Sequence, residues 1–118
     1  MLGIRRLNGM AIDLWCGDAS EFVADALIPV LNIQDVEAFA SRHLISPQNN
    51  GRHVCAVFNG PAWHGDELQT SVRAFISAIR SGRSEELPRR LTMILSDVPT
   101  YKIAQQALFG EIPELEED

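Results

Sequence analysis

Two periodicities alternate along this chain, and each change of period predicts a boundary between structural elements. Short apolar runs typical of β-strands lie at 10–16, 26–31, 52–58 and 91–95. Between them, apolar residues recur at helical spacing, and the longest such segment, 65–81, predicts a helix. The apolar stripe of this helix consists of Leu68, Val72, Phe75, Ile76 and Ile79.

Strands that alternate with helices predict an α/β domain. Because connections between parallel strands are right-handed, we expect a mixed sheet flanked by helices on both faces, which is a three-layer architecture. The run 26–31 is continuously apolar and predicts a strand buried on both faces, although Pro29 lacks the N–H that a central strand would donate. Trp15 follows the period of its strand and is predicted to lie in the core.

Turn and cap residues mark where these elements begin. Asn8-Gly9 predicts a tight hairpin between a short edge strand and the strand that follows it. Asn32 predicts the N-cap of a helix that extends to about His43. Either Ser96 or Asp97 is expected to cap the last helix.

Composition and charge narrow the class of protein. The chain has 118 residues, of which 46% are hydrophobic and 22% charged, and this predicts one globular domain over residues 1–110. The net charge is −6, and residues 111–118 form an acidic tail that supplies most of the excess. We therefore expect no nucleic-acid partner, because the basic surface that such a partner needs is missing from the overall balance.

The basic residues that do cluster in the sequence are arginines. Arg80, Arg83, Arg89 and Arg90 fall within eleven positions of one another. We interpret them as charges that complement the end of a helix and solvate the loop after it, and a phosphate site is the alternative.

The length of the apolar runs and the spacing of cysteine and histidine residues lead to expectations about cellular compartment, metals and cofactors. Without an apolar run long enough to span a bilayer or a secretory signal, we expect a cytoplasmic protein with no membrane association. Cys16 and Cys55 lie in apolar runs and are expected to be reduced, buried side chains. The spacing of cysteine and histidine residues predicts no metal site, and no motif indicates a cofactor.

Candidate site residues lie where the predicted parallel strands end, since ligands of such sheets bind at that edge. They are Gly17-Asp18, Asn32, Asn59-Gly60-Pro61 and Ser96-Asp97. Gly and Asn at these positions also serve as ordinary turn formers, and that interpretation stays open for each of them.

Three stretches resemble macrodomains, the ADP-ribose-binding α/β modules. Gly17, Asp18 and Ser20 resemble the family's G-D-[IV]-[ST] motif, and D-A-L-I followed by Asn32 resembles its V-D-A-I-V-N-A-A-N strand. R-H-V-C-A-V-F-N-G-P-A-W-H-G-D, residues 52–66, is similar to the family strand that ends in G-P-x-W. The stretch from Leu91 to Leu108 resembles the last strand and helix.

The resemblance implies a shortened macrodomain that binds ADP-ribose or a related adenine nucleotide. Asp18 would accept a hydrogen bond from the adenine amino group, Asn32 would contact the distal ribose, and Gly17, Gly60 and Pro61 would line the site. The family's glycine-rich loops are absent after Asn32 and between the long helix and the last strand. Since those loops donate most hydrogen bonds to the diphosphate, a weakened site is expected.

Two other functions follow from the same residues. A shortened fold that has lost its ligand would leave apolar surface for a partner, which implies a non-catalytic interaction or homo-oligomerisation domain. An ADP-ribosyl hydrolase would depend on Asn32, its weak catalytic candidate, and on preorganised diphosphate binding that the missing loops do not provide. The sequence thus favours binding or assembly over catalysis.

Overall fold

A computed structural model describes residues 4–18, 20, 23–40, 42, 50–58, 65–83 and 86–111. These residues form five strands and three helices. In chain order they are β1 (Arg5–Leu7), β2 (Met10–Cys16), β3 (Ala26–Val30), α1 (Ile33–Phe39), β4 (His53–Phe58), α2 (Gly65–Ser81), β5 (Arg90–Leu95) and α3 (Val98–Glu111). The α/β class and the mixed sheet predicted from the sequence are confirmed.

The strands form one sheet in the order β1-β2-β5-β4-β3. One of its four strand pairs, β1 with β2, is antiparallel. The other three, β2 with β5, β5 with β4 and β4 with β3, are parallel. The predicted Asn8-Gly9 turn joins the hairpin, with φ of 55° and 79°. The Asn8 side chain donates to the carbonyls of Ile79 (2.9 Å) and Gly82 (2.7 Å), so the turn is fastened to the end of α2.

The three helices form one layer, because α2 contacts both α1 and α3. The physical reason is the strand order. The strands β3, β4 and β5 are neighbours in the sheet in the same order as in the sequence, so both connections run in the same direction. Because such connections are right-handed, they lie on the same face of the sheet. The connection from β2 to β3 runs across the sheet in the opposite direction and therefore lies on the other face, where Ala24 packs on Cys55, Val57 and Ile94. The layer expected to contain helices on that second face is thus formed by the β2–β3 connection as far as the structure describes it.

The main core lies between the sheet and the helix layer. The predicted stripe of α2 is fully buried there, at 2% exposure or less for each of its five residues. Phe75 is at the centre and makes edge contacts with Phe39 of α1 (5.3 Å between ring centroids) and Phe58 of β4 (6.1 Å).

Three sequence expectations about burial are wrong. The strand β3 is an edge strand, and Leu27 remains 41% exposed, because no strand pairs with its outer side among the described residues. An edge position also explains how Pro29 is accommodated without an N–H. Trp15 (40% exposed) and Cys16 (exposed) lie near the end of β2, on the rim of the sheet and outside the core.

Candidate functional site

The parallel strands β2 to β5 end at one side of the sheet, which we call the carboxyl edge. Gly17 and Asp18 follow β2, Asn32 follows β3, and Asp97 follows β5. The sequence placed its candidate residues at this edge, and all of those in the described ranges are there. Gly60 and Pro61, together with Asn59, Trp63 and His64, lie outside the described residues.

Gly17 has a conformation that other residues rarely adopt. Its φ is +149°, and a Cβ at this position would lie 3.1 Å from Nε1 of Trp15. Its N–H donates to the Leu95 carbonyl (3.0 Å), so the chain stays hydrogen-bonded to β5 for one residue beyond β2. Glycine is therefore required where the chain leaves β2 and turns toward the second face.

Asp18 is an exposed, ionised acceptor at this turn. Its Oδ1 accepts a hydrogen bond from the backbone N–H of Ser20 (2.9 Å). That bond and a second one from the Ser20 side chain hold the pKa of Asp18 below its usual value. A carboxylate offers about four lone-pair sites, so the turn leaves acceptor capacity for a ligand.

Asn32 is the N-cap of α1, as predicted. Its Oδ1 accepts from the Asp35 N–H (3.0 Å), and Asp35 Oδ2 accepts in return from the Leu31 N–H (2.9 Å). Asn32 shares the carboxyl edge with Asp18, but β5 and β4 separate their strands. Three strand spacings put them roughly 14 Å apart along this edge.

The strands β2 and β5 define a topological switch point. They are neighbours, yet after β2 the chain passes to the second face and after β5 it enters α3 in the helix layer. Ligands of open α/β sheets bind in such a crevice. Asp18 lies on one side of it and Asp97 on the other.

Asp97, and not Ser96, is the cap of α3. Its Oδ1 accepts from the N–H of Thr100 (2.9 Å) and from the Thr100 hydroxyl (2.8 Å). These two bonds lower the pKa of Asp97. The crevice between β2 and β5 is thus bordered by two ionised carboxylates, each fixed by its own turn.

A second cluster of polar side chains lies on the face of the sheet opposite the helix layer, and the sequence pattern did not predict it. We call it the polar face network, and it contains Asp13, His53, Cys55, Arg90 and Thr92. Arg90 donates to both oxygens of Asp13, and the Thr92 hydroxyl donates to Asp13 Oδ1 (2.5 Å). His53 Nε2 lies 2.7 Å from Thr92 Oγ1 and 3.8 Å from Cys55 Sγ.

Proton positions in this network follow from the donor count. The single Thr92 hydroxyl proton goes to Asp13, so His53 Nε2 must be the donor to Thr92. Burial, followed by the nearby Arg90 charge, lowers the pKa of His53 and keeps the imidazole neutral. Burial and the Asp13 charge raise the pKa of Cys55 to about 11.

A thiol with so high a pKa is not a nucleophile at neutral pH. Every buried side-chain nitrogen or oxygen atom of the described residues also has a hydrogen-bond partner. The polar face network therefore ties β2, β5 and β4 together, and it has the features of a structural cluster more than those of a reactive one.

The described residues contain neither a metal-binding cluster nor a membrane-spanning helix. Over the described ranges no group of three or more His, Cys, Asp or Glu side chains could hold a metal ion. Among the helices described here, none is long and apolar enough to cross a bilayer. Comparison with known proteins found no matching family model, no similar curated protein and no similar solved structure.

Proposed function

We propose that this chain is a macrodomain-like module that binds an adenine nucleotide, ADP-ribose or a smaller relative, at the carboxyl edge. One observation carries the proposal: Asp18 is an exposed, ionised carboxylate at the switch point between β2 and β5. An ionised carboxylate only accepts hydrogen bonds, so it selects the base edge that carries an amino group.

The separation of Asp18 and Asn32 limits which ligand could touch both. With roughly 14 Å between them, a ligand must be long, as ADP-ribose is with two riboses joined by a diphosphate. The described residues at this edge include Asp18, Asp35 and Asp97, which repel a diphosphate. We therefore expect the adenosine portion to provide most of the affinity, and the phosphates to provide little.

Calorimetry with AMP and with inosine monophosphate tests this assignment, because the two differ at the amino group. We expect AMP to bind at least ten-fold more tightly, which corresponds to about 1.4 kcal/mol for one charge-assisted hydrogen bond. Asp18→Ala should abolish that preference, whereas the exposed Glu37→Gln on α1 should preserve it. Equal affinities for the two nucleotides, or a preference that survives in Asp18→Ala, would exclude the proposal.

Hydrolysis is not part of this proposal. The Asn32 amide oxygen, which would have to position a substrate, is already the acceptor that caps α1. Capping of α1 accounts for that oxygen without a catalytic role.

A specific observation favours a second candidate function, assembly with another copy of the chain. Leu27 and Leu31 on the β3 edge are 41% and 51% exposed. Pro29 lacks a donor and Asp35 occupies the Leu31 N–H, so the contact would form between side chains and not by sheet extension. Sedimentation equilibrium tests it. A wild-type dimer that Leu27→Asp dissociates supports assembly. A wild-type chain that is still monomeric at 100 μM counts against it, because its association free energy would then be weaker than roughly −5.5 kcal/mol.

A further inference from the structure

Trp15 is an exposed aromatic side chain at the carboxyl edge. It is 40% exposed, although the first four residues of its strand are all buried. The strand register places it beside Ile94 of β5, which is 1% exposed and belongs to the apolar cluster on the second face. Because paired residues of neighbouring strands point to the same side of a sheet, the indole lies on the second face, where this cluster meets solvent.

The turn after β2 leaves room for this indole. A Cβ at position 17 would lie 3.1 Å from Trp15 Nε1 and 3.7 Å from Cε2, so the nitrogen side of the ring system lies against the Gly17 backbone. That backbone is itself held by β5, since the Gly17 N–H donates to the Leu95 carbonyl (3.0 Å). The indole therefore leans along its strand toward the turn that carries Asp18.

An aromatic surface and a hydrogen-bond acceptor thus lie next to each other. Asp18 directly follows Gly17, and its carboxylate is exposed and fixed by the Ser20 N–H (2.9 Å). A nucleotide base offers its flat face to an aromatic ring and its amino group to a carboxylate. Because a base uses its face for stacking and its edge for hydrogen bonding, one base can use both groups at once.

The carboxylate alone does not define which base is bound. Adenine and cytosine both carry an exocyclic amino group, so Asp18 can accept a hydrogen bond from either. Stacking on an aromatic side chain is open to every base, but the apolar area that it buries depends on the size of the base. A two-ring purine covers more of the two-ring indole than a one-ring pyrimidine does.

We propose that Trp15 is the stacking surface of the base site and makes it select purines over pyrimidines, whereas Asp18 selects bases that carry an amino group. This inference rests on the proposed function, because it assumes that a nucleotide binds at the carboxyl edge. Together the two residues narrow the ligand class to 6-aminopurines. They also give the exposed position of Trp15 a role in binding.

Calorimetry with AMP, CMP and inosine monophosphate separates the two roles. The wild-type chain should bind AMP about five-fold or more tightly than CMP. Trp15→Leu should weaken AMP binding by about five-fold or more, as loss of one base–aromatic stack does, and should bring AMP and CMP within about two-fold of each other. Its preference for AMP over inosine monophosphate should persist, because Asp18 is unchanged, and this also reports that the variant is folded.

Trp15→Phe is the conservative variant. It keeps an aromatic ring of smaller area, so its AMP affinity should fall between those of the wild type and Trp15→Leu. A merely structural role for the indole would instead weaken all three nucleotides equally and leave the ratio of AMP to CMP affinity unchanged. That result would overturn the proposal.

Fluorescence gives a readout that does not depend on selectivity. The chain contains two tryptophans, so Trp63→Phe leaves Trp15 as the single indole fluorophore. AMP should quench its emission saturably, with the Kd that calorimetry gives for the same variant. AMP binding without quenching, or a loss of stacking in Trp63→Phe while Trp15→Leu binds like the wild type, would overturn the assignment to Trp15.

The outcomes distinguish this inference from the proposed function. A Trp15→Leu variant with wild-type affinities overturns the stacking role, even where the preference for AMP over inosine monophosphate persists. Equal affinities for those two nucleotides, together with quenching of Trp15, overturn the adenine assignment and support a purine-stacking site. Neither heat nor quenching with any of the three nucleotides at millimolar concentration overturns both.

Discussion

The polar face network and the carboxyl edge contain similar residue types and use them in opposite ways. In the network, the hydrogen bonds between strands join residues 39 to 79 positions apart and connect three strands in a buried setting. At the carboxyl edge, Asp18, Asn32 and Asp97 bond to residues two or three positions away and remain exposed. A carboxylate in the first region fixes strand pairing, whereas one in the second fixes a turn and keeps acceptor capacity.

This difference separates stability from function within one sheet. Loss of a buried partner leaves another polar group without solvent or a hydrogen bond, which costs more than loss of an exposed one. We therefore expect mutations in the polar face network to change unfolding free energy strongly, and those at the carboxyl edge to change ligand binding more than stability.

The largest effect is expected from Asp13→Ala. It removes the acceptor shared by Arg90 and Thr92, and breaking a largely buried ion pair costs about 3 kcal/mol. Urea unfolding measures the loss. Asp13→Asn, which keeps an acceptor, should lose less, and a loss below about 1 kcal/mol in Asp13→Ala would show that solvent replaces the carboxylate.

Thr92→Val should cost about 2 kcal/mol, because Asp13 loses a donor and His53 loses its acceptor while the shape of the side chain is kept. The matched control is Thr70→Val on the exposed side of α2, where the hydroxyl bonds only to the Asp66 carbonyl in its own helix. Thermal unfolding measures the loss of stability in both variants. Comparable losses would mean that burial of the network adds nothing to its stabilising effect.

Gly17→Ala is the carboxyl-edge substitution that should reduce stability most, by about 1–2 kcal/mol. The residue has φ of +149°, and an added Cβ would lie 3.1 Å from the Trp15 indole nitrogen. Gly110→Ala provides the contrast: nothing lies within 4 Å of a Cβ there, and alanine favours a helix. In chemical unfolding, the unfolding free energy of Gly110→Ala should equal or exceed that of the wild type, and that of Gly17→Ala should be lower. A Gly17→Ala variant more stable than Gly110→Ala would contradict the turn geometry.

The smallest effect concerns pH. The pKa of His53 is lower in the folded protein than the usual 6.5, so the unfolded chain takes up protons first as pH falls. Stability should therefore decrease from about pH 6.5 downward until the folded pKa is passed. His53→Gln should lack that part of the slope in urea unfolding at several pH values, and an unchanged slope would assign it to other groups.

Local chemistry was predictable from the sequence because it depends on neighbours along the chain. The Asn8-Gly9 turn, the Asn32 cap and the buried stripe of α2 each involve residues a few positions apart, and each prediction is confirmed. The cap of α3 was narrowed to two residues, and the hydrogen bonds of Thr100 select Asp97.

The polar face network was not predictable, because the hydrogen bonds that join its strands connect residues 39 to 79 positions apart in the sequence. Asp13, Thr92 and His53 each stand in an otherwise apolar strand pattern, and only the register of β2, β5 and β4 brings them together. The same limit explains Trp15 and β3. An apolar strand pattern does not say whether the strand will be central or at the edge, and that position decides exposure.

By itself, the sequence determined the elements and the α/β class, since periodicity, caps and turns act over a few residues. Tertiary structure alone decided strand order, and with it the shared face of the three described helices, the switch point at Asp18 and the polar face network. The reason is that strand order follows from which apolar faces pack best over the whole chain, and no local pattern carries that information.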